Sequence, residues 1–140
     1  MKIEICPKDC LNRIIEIYSS TYLELMNKEF IKYNLNCFLN NEKSICIIVS
    51  NDKKDLGFVL GNVYYFGNEM YAKIDEICVD NVEQGKGIGK ILINEFEKKA
   101  LGNGISCIYF EQYKDERLDS FYSNNGYTVA EDKEFRYKEF

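Results

Sequence analysis

The run Gln84-Gly85-Lys86-Gly87-Ile88-Gly89-Lys90 carries the most legible chemistry in the chain. Its three glycines alternate with larger residues, so no Cβ keeps an anion away from much of the backbone. The apolar run Ile74-Asp75-Glu76-Ile77-Cys78-Val79 reads as a strand before it, and Ile91–Ala100 reads as an amphipathic helix after it. A loop leading from a strand into a helix N-terminus presents free backbone N–H groups and the positive end of the helix dipole. The chemistry expected there is phosphate binding. Two common nucleotide loops do not fit. There is no Gly-Lys-Ser/Thr at Walker spacing, and G-x-G-x-G lacks the third glycine of the dinucleotide fingerprint G-x-G-x-x-G.

The chain has no histidine. Ser-His and Cys-His nucleophilic pairs are therefore excluded, and acid–base work falls to carboxylates, tyrosine, lysine, cysteine or water. Asp75 and Glu76 stand on the strand that enters the loop. Adjacent strand residues point to opposite faces, so one of the two is expected to see a cleft. Asp75 shares its face with Lys73. Glu76 shares parity with Ile74 and Cys78 and is expected to pack toward helices or form an ion pair. The plain alternative for both is a solvated or paired carboxylate. Six cysteines are present without a C-x-x-C pair, so no metal site is expected. All six read as reduced structural thiols, with Cys46, Cys78 and Cys107 inside apolar strands.

Length and composition bound the class. The 140 residues suit one domain, 1–140, with 46% hydrophobic and 29% charged residues. The longest apolar run, Ile45–Val49, is far too short to span a membrane. Met1-Lys2-Ile3-Glu4 leads straight into strand-like alternation, so a cytoplasmic protein without a targeting signal is expected. Net charge is −5 and the pI about 4.9. Lysine and arginine are scattered, which argues against nucleic acid. An acidic surface mildly favours a cationic partner such as an amine.

The elements that must position these residues follow in order. Lys2–Cys6 alternates as a strand ended by Pro7, and Asp9 is a candidate N-cap. Leu11, Ile14, Ile15 and Tyr18 mark a first helix. Tyr22, Leu23, Leu25, Met26, Phe30 and Ile31 mark a second, to about Tyr33. Asn34–Lys43, with four asparagines, reads as a loop. Ser44–Ser50 and Leu56–Phe66 read as a hairpin, with Gly57 and Gly61 hinting at bulges or close backbone approach. Glu69–Val79 extends the meander. After the glycine loop and its helix come a strand at Ile105–Phe110, a helix from Glu116 to about Asn124, and short strands at Tyr127–Val129 and Phe135–Phe140. The expected class is α+β: a mixed, mostly antiparallel sheet with a central βαβ.

Gln84, Gly87 and Gly89 match Q/R-x-x-G-x-G/A, which resembles the acetyl-coenzyme A loop of the GCN5-related N-acetyltransferases. A second segment, Asp115-Glu116-Arg117-Leu118-Asp119-Ser120-Phe121-Tyr122-Ser123-Asn124-Asn125-Gly126-Tyr127, is similar to that family's "NERA…FYEKLGF" run. It departs from it at Asp115, Leu118 and Tyr127. The resemblance covers nearly the whole chain and implies the acyl-CoA N-acyltransferase fold. It implies acetyl transfer from acetyl-CoA to an amine by direct attack. The pantetheine arm would lie along Ile77-Cys78-Val79, and the pyrophosphate would sit on the amides from Gly85 through Lys86, Gly87, Ile88 and Gly89 to Lys90. Asp115 would stand near the arm, and a backbone N–H near Val79 would meet the oxyanion.

Tyr122, of the Phe121-Tyr122 pair, is implied as the acid that protonates the leaving thiolate; its plain alternative is packing. The same resemblance selects Asp75 over Glu76 as the base, with ordered water as the other route. Tyr22 and Phe30 fall where the family builds its acceptor pocket, while Tyr64, Tyr65, Phe66 and Tyr71 crowd the neighbouring hairpin; such aromatics can equally be core. The acceptor would be a small-molecule or peptide amine, and the protein a monomer or homodimer. A coenzyme A-binding sensor or catalytically inactive relative is the competing reading, and a regulator that binds ATP or NAD is a weaker one.

Overall fold

The computed structural model describes residues 1–6, 9–22 and 27–140. A five-stranded sheet runs in the order β1-β2-β3-β4-β5. β1 (Lys2–Ile5), β2 (Ile45–Ser50), β3 (Asp55–Phe66) and β4 (Glu69–Val79) pair antiparallel. β5 (Cys107–Tyr109) joins parallel to β4. A single 3-10 turn, Asn81–Glu83, leads from β4 into the glycine loop. The mixed, mostly antiparallel sheet is as expected, and β4 keeps its expected bounds.

Strand alternation divides the core in two. Ile45, Ile47 and Val49 of β2 point to one face, against Ile88, Leu92, Ile93, Phe96 and Ala100 of α3 (Ile88–Gly102). Cys46 and Ile48 point to the other, with Phe58, Leu60 and Cys78, against α1 (Leu11–Tyr22) and α2 (Lys28–Leu39). α4 (Glu116–Asn124) follows β5. Gly61 is there for α3: an added Cβ would fall 2.5 Å from the Phe96 ring and from the Lys73 carbonyl. None of the helices in the described residues is long and apolar enough to cross a membrane.

Several sequence expectations change. The segment expected to loop from Asn34 is helical through Leu39. Ile31, Leu35 and Leu39 recur every fourth residue and bury one stripe, while Asn34 and Asn36 stay exposed. Packing outweighs the weak helix propensity of asparagine. Asn27 caps this helix, accepting from the Glu29 and Phe30 amides. Tyr22 ends α1 rather than starting a second helix, and Leu23, Leu25 and Met26 lie outside the described residues, as does Pro7. Asp9 is not the cap of α1: the Cys10 carbonyl receives the first helical N–H groups, from Arg13 and Ile14.

No strand forms at Tyr127–Val129 or Phe135–Phe140, and Val129, Phe135, Tyr137 and Phe140 are exposed. Alternation needs a partner edge, and β5 offers only the three residues Cys107–Tyr109. The cysteines also differ from expectation. Cys6 and Cys10 are joined by a disulfide, with Cα atoms 6.1 Å apart. Cys46 and Cys78 are buried thiols, but Cys107 is exposed despite its place in a strand.

Candidate active site

The centre of the site is a break in strand pairing. β4 and β5 pair only at Tyr71, Ala72 and Lys73, against Cys107, Ile108 and Tyr109. Beyond Lys73 the strands part, and Ile74–Val79 have no strand on that side among the described residues. The end of β4 thus presents an open run of backbone hydrogen-bonding groups, as at a sheet edge. Lys73 is held near the parting by Glu111, 3.6 Å away.

A bulge on the other side of β4 decides where its carboxylates go. Leu60 is opposite Glu76 and Gly61 is opposite Ile74, so Asp75 has no partner on β3. One extra residue reverses the alternation beyond it. Ile74 joins the α3 core while Cys78 joins the α1–α2 core. Parity linked Glu76 to both, and the bulge separates them. Glu76 and Asp75 both come to the α1–α2 face, where the Asn62 amide donates to Asp75 at 2.6 Å. Asn62 is itself buried, and its Oδ1 has no partner among the described residues.

Glu76 reaches a groove of about 560 Å³ between α1, α2 and β4, walled by Tyr18, Phe30, Ile31, Leu35 and Phe38, with Asn27 and Asn34 at its polar side. That volume is in the range of small-ligand sites. Burial, helped by the neighbouring Asp75, pushes the Glu76 carboxyl up to about 7. The Asp75 carboxyl is also raised by burial, against the opposing pull of its Asn62 hydrogen bond and of Lys73. A second cavity, of about 370 Å³, is lined by Lys43, Val63, Met70 and Lys99 and holds none of these groups.

Tyr122 stands where the strands part. Its ring lies 4.3 Å from that of Phe110, just past β5, and 5.0 Å from Phe121. Burial pushes its hydroxyl up to about 12, with Tyr22 and Glu76 adding to the rise. Tyr22 lies against Tyr18 at 4.8 Å between ring centres. The end of α1 is fastened to β4 by Thr21, which donates to the Val79 carbonyl at 3.1 Å and accepts from the Cys78 thiol at 3.2 Å. Burial drives the Cys78 thiol up to about 11.

The glycine loop divides its labour. Gly85 and Gly87 have φ of 77° and 85°, a left-handed backbone that other residues rarely adopt. A Cβ at either would meet nothing within 4 Å, so open space borders the loop there. Gly87 begins α3 with no side-chain cap. The first intrahelical bond runs from Ile91 to the Gly87 carbonyl at 3.2 Å. The N–H groups of Ile88, Gly89 and Lys90 precede that bond and have no acceptor within the helix. The Ile88 side chain is core, so only its backbone can serve a ligand. Gly89 makes room for α4: a Cβ would sit 3.1 Å from the Phe121 ring.

Gln84 is a latch. It donates to the Val79 carbonyl at 3.2 Å and accepts from Arg117 of α4 at 3.1 Å. Lys86 pairs with Glu83, and Lys90 is exposed. Asp115 caps α4, accepting from the Leu118 amide at 3.0 Å. Ile77 and Val79 direct their side chains to the α3 core and Cys78 to the other, which leaves the backbone of this trio at the parting. Thr21, Phe38 and Asn62 were not singled out from sequence, and Tyr18 was read there only as a marker of the first helix. An asparagine inside the apolar run Leu56–Val63 was a signal that could have been read.

The match to the acetyltransferase (GNAT) family model runs over residues 11–127. The chain belongs to this family. Acyl transfer is therefore its general chemistry. No curated protein matches the chain. Among solved structures it is similar to a possible acetyltransferase from Clostridium difficile 630, at 15% identity over 99% of this chain and 97% of that one, with a TM-score of 0.82. An aminoglycoside acetyltransferase, meta-AAC0020, from an uncultured soil metagenomic sample and in complex with sisomicin, matches at 20% identity over 99% and 95%, with a TM-score of 0.76. A ribosomal-protein-alanine N-acetyltransferase from Brucella melitensis biovar Abortus 2308 matches at 15% identity over 99% and 100%, with a TM-score of 0.77. At these identities the likeness is one of fold.

Proposed function

We propose that this GNAT protein transfers an acetyl group from acetyl-CoA to the amine of a small molecule or peptide seated in the groove between α1, α2 and β4. The observation that carries the reading is the meeting, at one parting of strands, of a raised carboxyl, a half-buried tyrosine and an uncapped helix N-terminus. The open space at Gly85 and Gly87 fits a diphosphate, and the free edge of β4 fits the amides of a pantetheine arm. When bound, acetyl-CoA supplies an activated acyl thioester. The amides of Ile88, Gly89 and Lys90 hold the diphosphate.

Glu76 takes the proton from the incoming ammonium, and the Tyr122 hydroxyl returns one at the sulfur. Glu76 is assigned as base in preference to Asp75 because it lines the groove, whereas Asp75 is bonded to Asn62. A carboxyl near 7 is matched to deprotonating an amine at neutral pH. Tyr18, Phe30 and Phe38 wall the groove, and aromatic rings there suit a cation. The aminoglycoside and the ribosomal-protein alanine in the names of two similar structures set two classes to try. The test is thiol release from acetyl-CoA over a panel of polyamines, aminoglycosides and peptide N-termini, with coenzyme A binding measured alongside. Turnover on one class supports the reading. Tight coenzyme A binding with no turnover on any amine replaces it with a sensor.

A further inference from the structure

Away from this site, three sulfurs converge from three separate parts of the chain. Cys6 follows β1, Cys10 precedes the first residue of α1, and Cys46 lies in β2. Their Sγ atoms all lie within 4.8 Å of one another. The Cys6 amide donates to the Cys46 carbonyl at 2.7 Å, which fixes two of the three backbones face to face. Cys10 and Cys46 are 3% and 2% exposed, so their sulfurs are turned inward rather than to solvent. Cys6 is less buried and gives the cluster a side open to exchange.

We propose that the reduced trio is a three-thiolate site for a soft metal ion, monovalent copper, and that the Cys6–Cys10 disulfide is its closed form. Geometry supports the coordination number. Three thiolates in a plane around an ion, with metal–sulfur bonds of about 2.3 Å, stand about 4.0 Å apart. Cys10 Sγ and Cys46 Sγ are 4.0 Å apart in this structure. Donor chemistry supports the ion. All three donors are thiols, the chain has no histidine, and no carboxylate joins the cluster among the described residues. A closed zinc site wants four ligands, whereas soft sulfur donors select Cu(I). The first turn of α1 offsets part of the net negative charge that three thiolates and one monovalent ion carry. Cys10 sits at the N-terminus of α1, where the helix dipole favours a thiolate.

The chemistry balances. A dithiol reductant breaks the Cys6–Cys10 bond, giving two cysteine thiols and becoming a disulfide itself. The three thiols then release three protons to solvent as three sulfur–copper bonds form. A two-electron oxidant of the diazene class, such as diamide, is reduced to the hydrazine with two protons from solvent as it re-forms the Cys6–Cys10 disulfide, which withdraws two of the three donors and expels the ion.

The experiment is anaerobic titration of the full chain, reduced with a phosphine, with Cu(I) against a competing Cu(I) chelator. One equivalent per chain is expected to bind, with three sulfur neighbours by X-ray absorption. Cys6→Ser should weaken binding by about 100-fold or more, since even outer-shell changes around metal sites cost up to that much. Cys46→Val, which keeps the buried volume, should do the same while circular dichroism confirms the fold. Cys37→Ser with Cys107→Ser, the two exposed cysteines, should leave binding unchanged. Diamide-oxidised protein should bind no copper. The proposal is overturned if the reduced chain binds none, if the oxidised chain binds equally, or if folded Cys6→Ser and Cys46→Val both retain the wild-type affinity.

Discussion

At the scale of single residues, the site is a matter of which proton sits where. Tyr122→Phe removes one oxygen and keeps the ring against Phe110 and Phe121. Turnover is expected to fall by roughly 100- to 10,000-fold with cofactor affinity little changed, the usual contribution of a general acid. The deficit should shrink with a more acidic leaving thiol. Wild-type turnover in a chemistry-limited assay would leave Tyr122 as a packing residue. Asp75 and Glu76 are separable by pH. If Glu76 is the base, kcat/KM rises with pH through about 7 as its carboxyl ionises. Asp75 contributes to that raised value by charge repulsion. Asp75→Asn should therefore retain most activity and move this rising limb to lower pH, whereas Glu76→Gln should abolish the limb. A pH–rate series in which Asp75→Asn loses the limb, and Glu76→Gln keeps it, would return the role to Asp75.

At the scale of elements, the glycine loop, β4 and α4 were legible because each is coded locally. The spacing of Gly85, Gly87 and Gly89 and the helical run from Glu116 to about Asn124 need no knowledge of the rest of the chain, whereas the cap at Asp115 was found only in the structure. The bulge at Asp75 was not legible. It depends on register with β3, which side-chain alternation along β4 alone does not reveal, and it puts Asp75 on the same face as Glu76, which lines the groove between α1, α2 and β4. Likewise α2 was under-read because its asparagines are exposed and its stripe is recognised only against the sheet. Cys6 and Cys10 stand only four residues apart, but Cys46 reaches them from 36 residues beyond Cys10, which spacing cannot show. The loop glycines give a test at this scale. Gly87→Glu places a bulky anion where the left-handed backbone opens to space, and calorimetry should show weakened acetyl-CoA binding in a folded protein. Gly89→Ala instead presses on the Phe121 ring. Alanine gains about 1 kcal/mol over glycine in a helix, which offsets the contact, so the main effect should be a net stability change within about 1 kcal/mol, more favourable in the Phe121→Leu background than in wild type. Unchanged affinity in Gly87→Glu would move the phosphate site elsewhere.

The whole molecule carries the cost of the site. Two cores hold the sheet from either face, and the end of β4 is left between them, open on one edge and fastened to α1 by Thr21. Placing Glu76 there keeps a carboxyl away from water, and the folded state bears that cost whenever the group ionises. A carboxyl raised on folding binds its proton more tightly in the folded chain than in the unfolded one. Its penalty is absent below the unfolded value of 4.5 and complete above the folded value of about 7. That difference corresponds to about 3 kcal/mol at most. Glu76→Gln keeps the shape and removes the titration. Denaturant unfolding should find wild type and variant close in stability at pH 4.5, with the variant gaining as pH rises and leading by up to about 3 kcal/mol at pH 8. A gap that does not change with pH would mean that Glu76 is ionised in the folded protein as readily as in the unfolded chain. The groove would then lack a carboxyl poised to accept a proton near neutrality.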